Sequence, residues 1–315
     1  MTAALRKPAC WKLRSRTLEL GRRTLVMGVV NITPDSFSDG GCFLDADAAV
    51  SRSMQLLDEG ADLLDLGAES TRPGSRAGGG AAVPVVSADE EQARLLPVVE
   101  GILRARPGTI VSVDTYKAAT ARAVLEAGAE IVNDVSGFGW DPSMAEVCAE
   151  FGCGVVLMHT RGRPEEWRKQ AQLEPDELMA TVRDGLTASL AMAERAGMAA
   201  EAVVLDPGYG FGKRFDENYT LLARQAELLA LGRPLLAGVS RKSFLGRTLA
   251  SLYGGTSAPV EARETASLAA MVVAILNGAS MVRVHQAQPA VEAARIADAV
   301  LDARRGREAA RTSEG

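Results

Sequence analysis

A chain of 315 residues with 47% hydrophobic content is long enough for one large domain or two small ones. Aromatic residues make up only 4%, so the core has to be built from aliphatic side chains, which suits buried parallel strands covered by helices. The net charge of -5 speaks against nucleic acid or an anionic membrane as partner, and four cysteines with no Cys-x-x-Cys pair speak against a disulfide framework or a zinc site.

Residues 1–16 are basic but lack an apolar run, so no secretory signal is expected and the cytoplasm is the default location. Trp11 to Gly21 reads as a short hairpin cap ahead of the first barrel strand. Eight short apolar runs follow: about Leu25–Val30, Asp62–Leu66, Ile110–Asp114, Ile131–Asp134, Val155–Met158, Val203–Asp206, Leu235–Val239 and Met281–Val284. The segments between them carry helical periodicity. Several end in a Gly-Ala or similar small pair directly before a strand, as at Gly60-Ala61, Gly128-Ala129, Gly152-Cys153 and Gly278-Ala279, which is the signature of a helix-to-strand connection. Residues 266–284 are the most hydrophobic stretch, but Asn277-Gly278 and Ser280 break it, so it reads as a buried helix and strand.

Eight strand–helix units imply a closed parallel barrel, an α/β (β/α)8 TIM barrel in one domain. The rival is an open doubly wound sheet, weakened because no GxGxxG fingerprint follows any strand. The expected division is 1–24 as an N-terminal extension with the hairpin, 25–303 as the barrel and 304–315 as a flexible tail. Residues 76–86, rich in Gly, Ala and Val, read as a loop.

Chemistry in such a barrel sits where the strands end. Those ends carry Asn31, Glu69 to Arg72, Asp114, Asn133-Asp134, His159, Asp206, Ser240 to Lys242, and Arg283 with His285. Asp114, Asn133 and Asp206 offer donors and acceptors for the edge of a flat nitrogen heterocycle. Arg72, Lys242, Arg283 and His285 suit a phosphate or diphosphate. Asn31 with loop acidic groups could complete a Mg2+ site, because that ion takes few protein ligands when phosphates are present. Taken singly, several of these have a plainer reading: Asp114 as a helix cap, Asn133-Asp134 as a turn, and Gly208 to Lys213 as a glycine-rich turn that fails the Walker pattern.

The motifs GVVNITPDSFSDGG, DLGAESTRPGS, VSVDT, EAGAEIVNDVSG, LMHTRG, LDPGYGFGK, GVSRKSFLG and VRVH occur in that order between Gly28 and His285, and with them the sequence resembles the dihydropteroate synthase family from about Leu25 to Val300. NITPDSFSDGG and SRKSF are specific alone. The resemblance implies condensation of a dihydropterin-methyl diphosphate with 4-aminobenzoate, using Mg2+, in a homodimer. It implies a pterin pocket of Asp114, Asn133, Asp206 and Lys242, with Arg283 flanking the ring and Met158 and Phe211 as walls. It implies a diphosphate site of Asn31, Arg283 and His285 with Thr71 and Arg72, Asn31 being the metal ligand. Phe37, Thr71, Arg72, Pro73 and Ser243 would meet 4-aminobenzoate; Asp114, Lys242, Arg283 and His285 would carry the chemistry.

Two departures stand out: Arg76 to Gly80 lengthen the second loop, and Gln286 follows His285 where Asp is common. The rivals are a pterin-barrel methyltransferase, which needs no diphosphate site, and a non-catalytic pterin-binding paralogue, whose mark would be loss of Asn31, Asp114 or Lys242. All three residues are present.

Overall fold

β1 (Ala9–Lys12) and β2 (Thr17–Leu20) pair antiparallel as the expected hairpin, with Trp11 opposite Leu18. The chain then alternates: β3 (Leu25–Asn31), α1 (Cys42–Asp58), β4 (Leu63–Gly67), α2 (Ala88–Ala105), β5 (Val111–Asp114), α3 (Ala118–Glu126), β6 (Ile131–Asp134), α4 (Met144–Phe151), β7 (Gly154–Met158), α5 (Pro175–Arg195), β8 (Val203–Asp206), α6 (Phe215–Arg224) and β9 (Leu235–Ala237). Two helices, α7 (Ser243–Thr248) and α8 (Glu264–Leu276), precede β10 (Ala279–Val284), and α9 (Ala287–Ser313) closes the order. Strands β3 to β10 pair in parallel and close as a barrel, with β10 beside both β3 and β9. This computed structural model describes residues 6–32, 42–69 and 86–313.

The eight apolar runs become the eight barrel strands with ends shifted by at most two residues. Gly60, Gly128, Gly152 and Gly278 take positive φ of 101°, 110°, 60° and 100° at the helix-to-strand junctions. Helix α9 runs to Ser313, through the stretch from Arg304. Cys10, Cys148 and Cys153 are free thiols, the last two buried, and among the described residues no helix is long and apolar enough to cross a membrane.

The inside of the barrel is organised by the two-residue period of its strands. At the floor, Trp11, Leu13 and Leu20 of the hairpin region pack with Met27, Leu63, Ile131, Val156, Val204, Leu236 and Met281, one residue from most strands. Trp11 is fully buried, its indole N–H donates to Ala202 O at 2.9 Å, and Gly154 of β7 leaves the space: a Cβ there would sit 2.5 Å from Leu13. Buried Arg6 fastens the same end by donating to Thr24 Oγ1 and Ala279 O and pairing with Asp298 of α9 at 2.6 Å.

Counting two residues along each strand from this floor reaches the next inward layer: Val29, Asp65, Ser112, Asn133, Met158, Asp206, Gly238 and Arg283. Residues of opposite parity, such as Leu64, Leu66, Val113, Val132, Val155 and Leu157, pack outward against the helices. The hairpin therefore plugs one end with hydrocarbon, and the polar layer above it faces the open mouth.

Replacing Trp11 by Ala should remove the largest part of the plug and leave Ala202 O without its donor, lowering unfolding free energy by about 3–5 kcal/mol. Urea unfolding checks this: the midpoint should fall sharply at an unchanged slope, and an unmoved midpoint would show that the hairpin does not seal the barrel.

Candidate active site

Asp65 is the centre of the polar layer. Its side chain is fully buried inside the barrel, where an ionised carboxylate is tolerable only with several donors. It has three. Ser112 Oγ donates to Oδ1 at 2.7 Å, Asn133 Nδ2 to Oδ2 at 3.0 Å, and Arg283 Nε to Oδ2 at 2.6 Å. The same guanidinium reaches across with Nη2 to donate to Asp114 Oδ2 at 3.0 Å. One cation thus spans two carboxylates from neighbouring strands β4 and β5, and Asn133 from β6 joins through Asp65.

Sharing Arg283 leaves Asp114 the weaker-held partner. Burial pushes its carboxyl up to about 7; Arg283 and Lys242 oppose the rise, while Asp65 and Glu91 add to it. Arg283 is itself pulled down by burial, but Asp65 and Asp114 outweigh this and the net shift is upward. Across the barrel, Asp206 ends β8. Its Oδ1 accepts from Gly208 N at 2.7 Å, and burial raises its carboxyl despite that bond and the nearby Lys242 charge.

The inward positions beside these acids are glycines. A Cβ at Gly67 would lie 3.7 Å from Asp114 Cβ, and one at Gly238 would lie 3.6 Å from Asp206 Oδ2 and 4.0 Å from Arg283 Cβ. These are ordinary contacts with no clash, so a side chain would fit at either position, and its absence leaves the acids less crowded. The walls fit a flat ligand. Met158 is buried at the inward end of β7, and Phe211 presents its ring to Lys242 Nζ, 4.0 Å from the centroid.

Phe211 belongs to the glycine-rich run 208–213, and the structure decides how that run is used. Lys213 is buried and donates to the carbonyls of His159, Gly208 and Phe211 at 3.2, 2.8 and 3.3 Å, so its ammonium fastens the loop to itself. Burial pulls that ammonium down to about 7. Arg161 adds a second latch, pairing with buried Glu217 at 3.2 Å, and Trp167 sets its ring edge-on to Phe211 at 5.0 Å.

Of the residues expected at the anion end, Asn31 is exposed at the end of β3, and His285 Nδ1 lies 2.9 Å from Ser240 Oγ. Ser243 is exposed at the start of α7, directly after Lys242. Phe37, Thr71, Arg72 and Pro73 lie outside the described residues, as does the Arg76–Gly80 lengthening. Among the described residues no three His, Cys, Asp or Glu side chains cluster as a metal site. The donor set at this end, one side-chain amide, fits an ion that takes its other ligands from phosphate and water, as Mg2+ does.

Strand parity settles the residues with two readings. Asp114 points inward to Arg283 and does not cap a helix: α3 begins at Ala118 with Lys117 as its cap residue, and Ala118 N donates to Asp141. Asn133 is inward and in the site, whereas its neighbour Asp134 is outward and builds a turn, accepting from Ser136 N at 2.7 Å and Phe138 N at 2.9 Å. His159, expected at the rim, is corrected on the same ground. It follows inward Met158, so its buried ring lies against Gly185 of α5, and burial with Lys213 and Arg161 lowers its pKa well below the usual range. Glu69, another rim residue, pairs with Lys117 at 2.5 Å. Asp65, Ser112 and the two glycines do not stand at strand ends with a polar run, so strand-end position does not mark them; the sequence signal for Asp65 is a lone acid two places beyond a floor leucine in LLDLG.

The family model for pterin binding enzymes matches residues 27–285. A dihydropteroate synthase of Mycobacterium leprae is 43% identical over 280 residues, covering 88% of this chain and 94% of that protein. Among solved structures, the Xanthomonas albilineans dihydropteroate synthase with 4-aminobenzoic acid is 38% identical, with a TM-score of 0.80 over 93% of this chain and 98% of that one. The Yersinia pestis dihydropteroate synthase in complex with a sulfonamide drug is 39% identical, with a TM-score of 0.81 over 93% and 99%.

Gly238→Ala should fold normally, because its Cβ meets only ordinary contacts, yet fill part of the slot. The thermal midpoint should move by no more than a few degrees while affinity for a pterin, measured by calorimetry, falls on the order of tenfold. Unchanged affinity would place the ring elsewhere.

Proposed function

The chain belongs to the dihydropteroate synthase family of pterin-binding enzymes, and we propose that the mouth of its barrel carries out that family's condensation with the residues described above. The reaction joins (7,8-dihydropterin-6-yl)methyl diphosphate to 4-aminobenzoate and yields 7,8-dihydropteroate and diphosphate. The observation that carries the assignment of residues is the Asp65–Arg283–Asp114 bridge at the end of the barrel strands, with Lys242 over Phe211 and His285 on Ser240 in the loops that follow.

In this reading Asp206 and Asn133 pair with the N–H and acceptor edge of the ring, Phe211 and Met158 wall it, and Lys242 holds its far side. The C–O bond between methylene and diphosphate breaks heterolytically, and the electron pair leaves with the diphosphate. Asn31, Arg283 and His285, with Thr71 and Arg72 from the second loop, bind the departing anion, where cationic donors favour the charge it gains. Mg2+ held by Asn31 would neutralise further charge on that leaving group. Ionised Asp114 stabilises the positive charge left on the pterin methylene. The aryl amine, seated by Phe37, Thr71, Arg72, Pro73 and Ser243, attacks that carbon and loses its proton. Excluding water keeps hydrolysis from competing. A homodimer in the cytoplasm is the expected setting.

The pterin-barrel methyltransferase reading is disfavoured by the pairing of the ring slot with Lys242 and His285, since methyl transfer releases no diphosphate.

A group with a raised pKa keeps its proton to higher pH, so Asp114 becomes a carboxylate only as pH climbs past about 7. kcat/KM for the pterin diphosphate should rise roughly tenfold per pH unit below that point and level off above it. In Asp114→Asn this limb should vanish and the rate should drop by about 10²–10³. Initial rates of diphosphate release between pH 5.5 and 8.5 provide the test. A flat wild-type profile would remove Asp114 from the chemistry, and no release at any pH from folded protein with Mg2+ and both substrates would remove the activity.

A further inference from the structure

Among the described residues only two non-glycines take a positive φ, Phe138 at 69° and Arg241 at 58°. Phe138 is explained locally, because its N–H donates to Asp134 within the same turn. Arg241 is different. It stands between Ser240, which meets His285, and Lys242, which lies over Phe211, and its own backbone is gripped from a separate helix.

The grip involves both sides of the residue. Arg241 N donates to Ser267 Oγ at 2.8 Å, and that hydroxyl passes its own hydrogen to Arg263 O at 2.7 Å. Arg263 Nη1 donates back to Arg241 O at 3.1 Å, while Arg241 Nε donates to Glu264 Oε2 at 3.1 Å. Ser267 is buried, and Arg263 is itself steadied by donating Nε to Ala258 O at 2.9 Å. A left-handed conformation is unfavourable for a side chain with a Cβ, and it persists only where surrounding contacts fix it. Here those contacts come from Arg263 and the first residues of α8.

We propose that Ser267, Arg263 and Glu264 are positioning residues: they hold Arg241 in its left-handed turn, so that Ser240 is aimed at His285 while Lys242 is aimed at the ring slot. Ser240 and Lys242 lie beyond β9, which ends at Ala237, so the left-handed turn at Arg241, and not strand pairing, sets the direction of each. The clamp therefore sets the relation between the anion end and the ring end. The binding part of this inference rests on the functional reading above; the geometric part does not.

The chain's only two histidines make the test clean, since His159 lies against α5 and His285 reports on Ser240. In Ser267→Ala, the imidazole nitrogen resonances of His285 should shift, with those of His159 unmoved. Calorimetric affinity for the pterin diphosphate should fall about tenfold well below the melting temperature, and Ser267→Thr, which keeps the hydroxyl, should recover most of it. Glu264→Ala, a change at a half-buried surface pair, should move the His285 signal the same way and weaken affinity about threefold even if Ser267→Ala fails to fold. Unmoved His285 resonances in the folded variants would overturn the clamp. Equal shifts of both histidines would overturn it too, because they would mean a general loosening of the barrel. Wild-type protein that binds no pterin diphosphate would count against the functional reading and leave the resonance test standing.

Discussion

Everything in the barrel mouth depends on a single guanidinium that two carboxylates share. Asp65 has no exposure to solvent, and burying its charge without Arg283, Asn133 and Ser112 would cost several kcal/mol. The shorter contact goes to Asp65 and the longer one to Asp114. Asp65 thus has a structural duty, while burial raises the Asp114 carboxyl to about 7 even though Arg283 opposes the rise, which leaves it close to neutral pH and ready for a developing cation. The bridge is also economical in space, because glycines at 67 and 238 keep the adjoining inward positions empty.

The same two-residue period separates scaffold from site. Most strands offer a hydrocarbon residue to the hairpin plug, and the next inward layer brings Asp65, Ser112, Asn133, Asp206, Gly238 and Arg283 to the mouth. The loops add a second level of order. Lys213 and the Arg161–Glu217 pair fix the run that presents Phe211, and the start of α8 fixes the turn that presents Lys242. None of these holding residues needs to touch a ligand. They use buried hydrogen bonds to restrict the side chains that do, which lowers the ordering cost of binding.

Much of this was legible in the sequence, for physical reasons. The eight strands are visible because parallel barrel strands are apolar on both faces, and their polar ends stand out against that background. Asp114, Asn133, Asp206, Lys242 and Arg283 could be selected as strand-end residues, and the barrel does bring them to one mouth. Asp65 was hidden because a lone acid among leucines looks like part of a buried strand; only its parity with Leu63 places it inside. Parity also divides Asn133 from Asp134 and Met158 from His159, which strand-end position alone cannot do. The bend at Arg241 left no mark in the sequence, since nothing about Ser-Arg-Lys announces a left-handed residue held by a helix more than twenty positions away. The contacts assigned to Phe37, Thr71, Arg72 and Pro73 lie outside the described residues.

If the shared guanidinium governs the site, Asp65 must influence ligand binding largely through Arg283. A double-mutant cycle on affinity for the pterin diphosphate, using Asp65→Ala, Arg283→Ala and the pair, measures that dependence. The account predicts that the double variant binds about as weakly as either single one, a coupling of about 2–3 kcal/mol. Losses that simply add would contradict it, because the two residues would then act on the ligand independently.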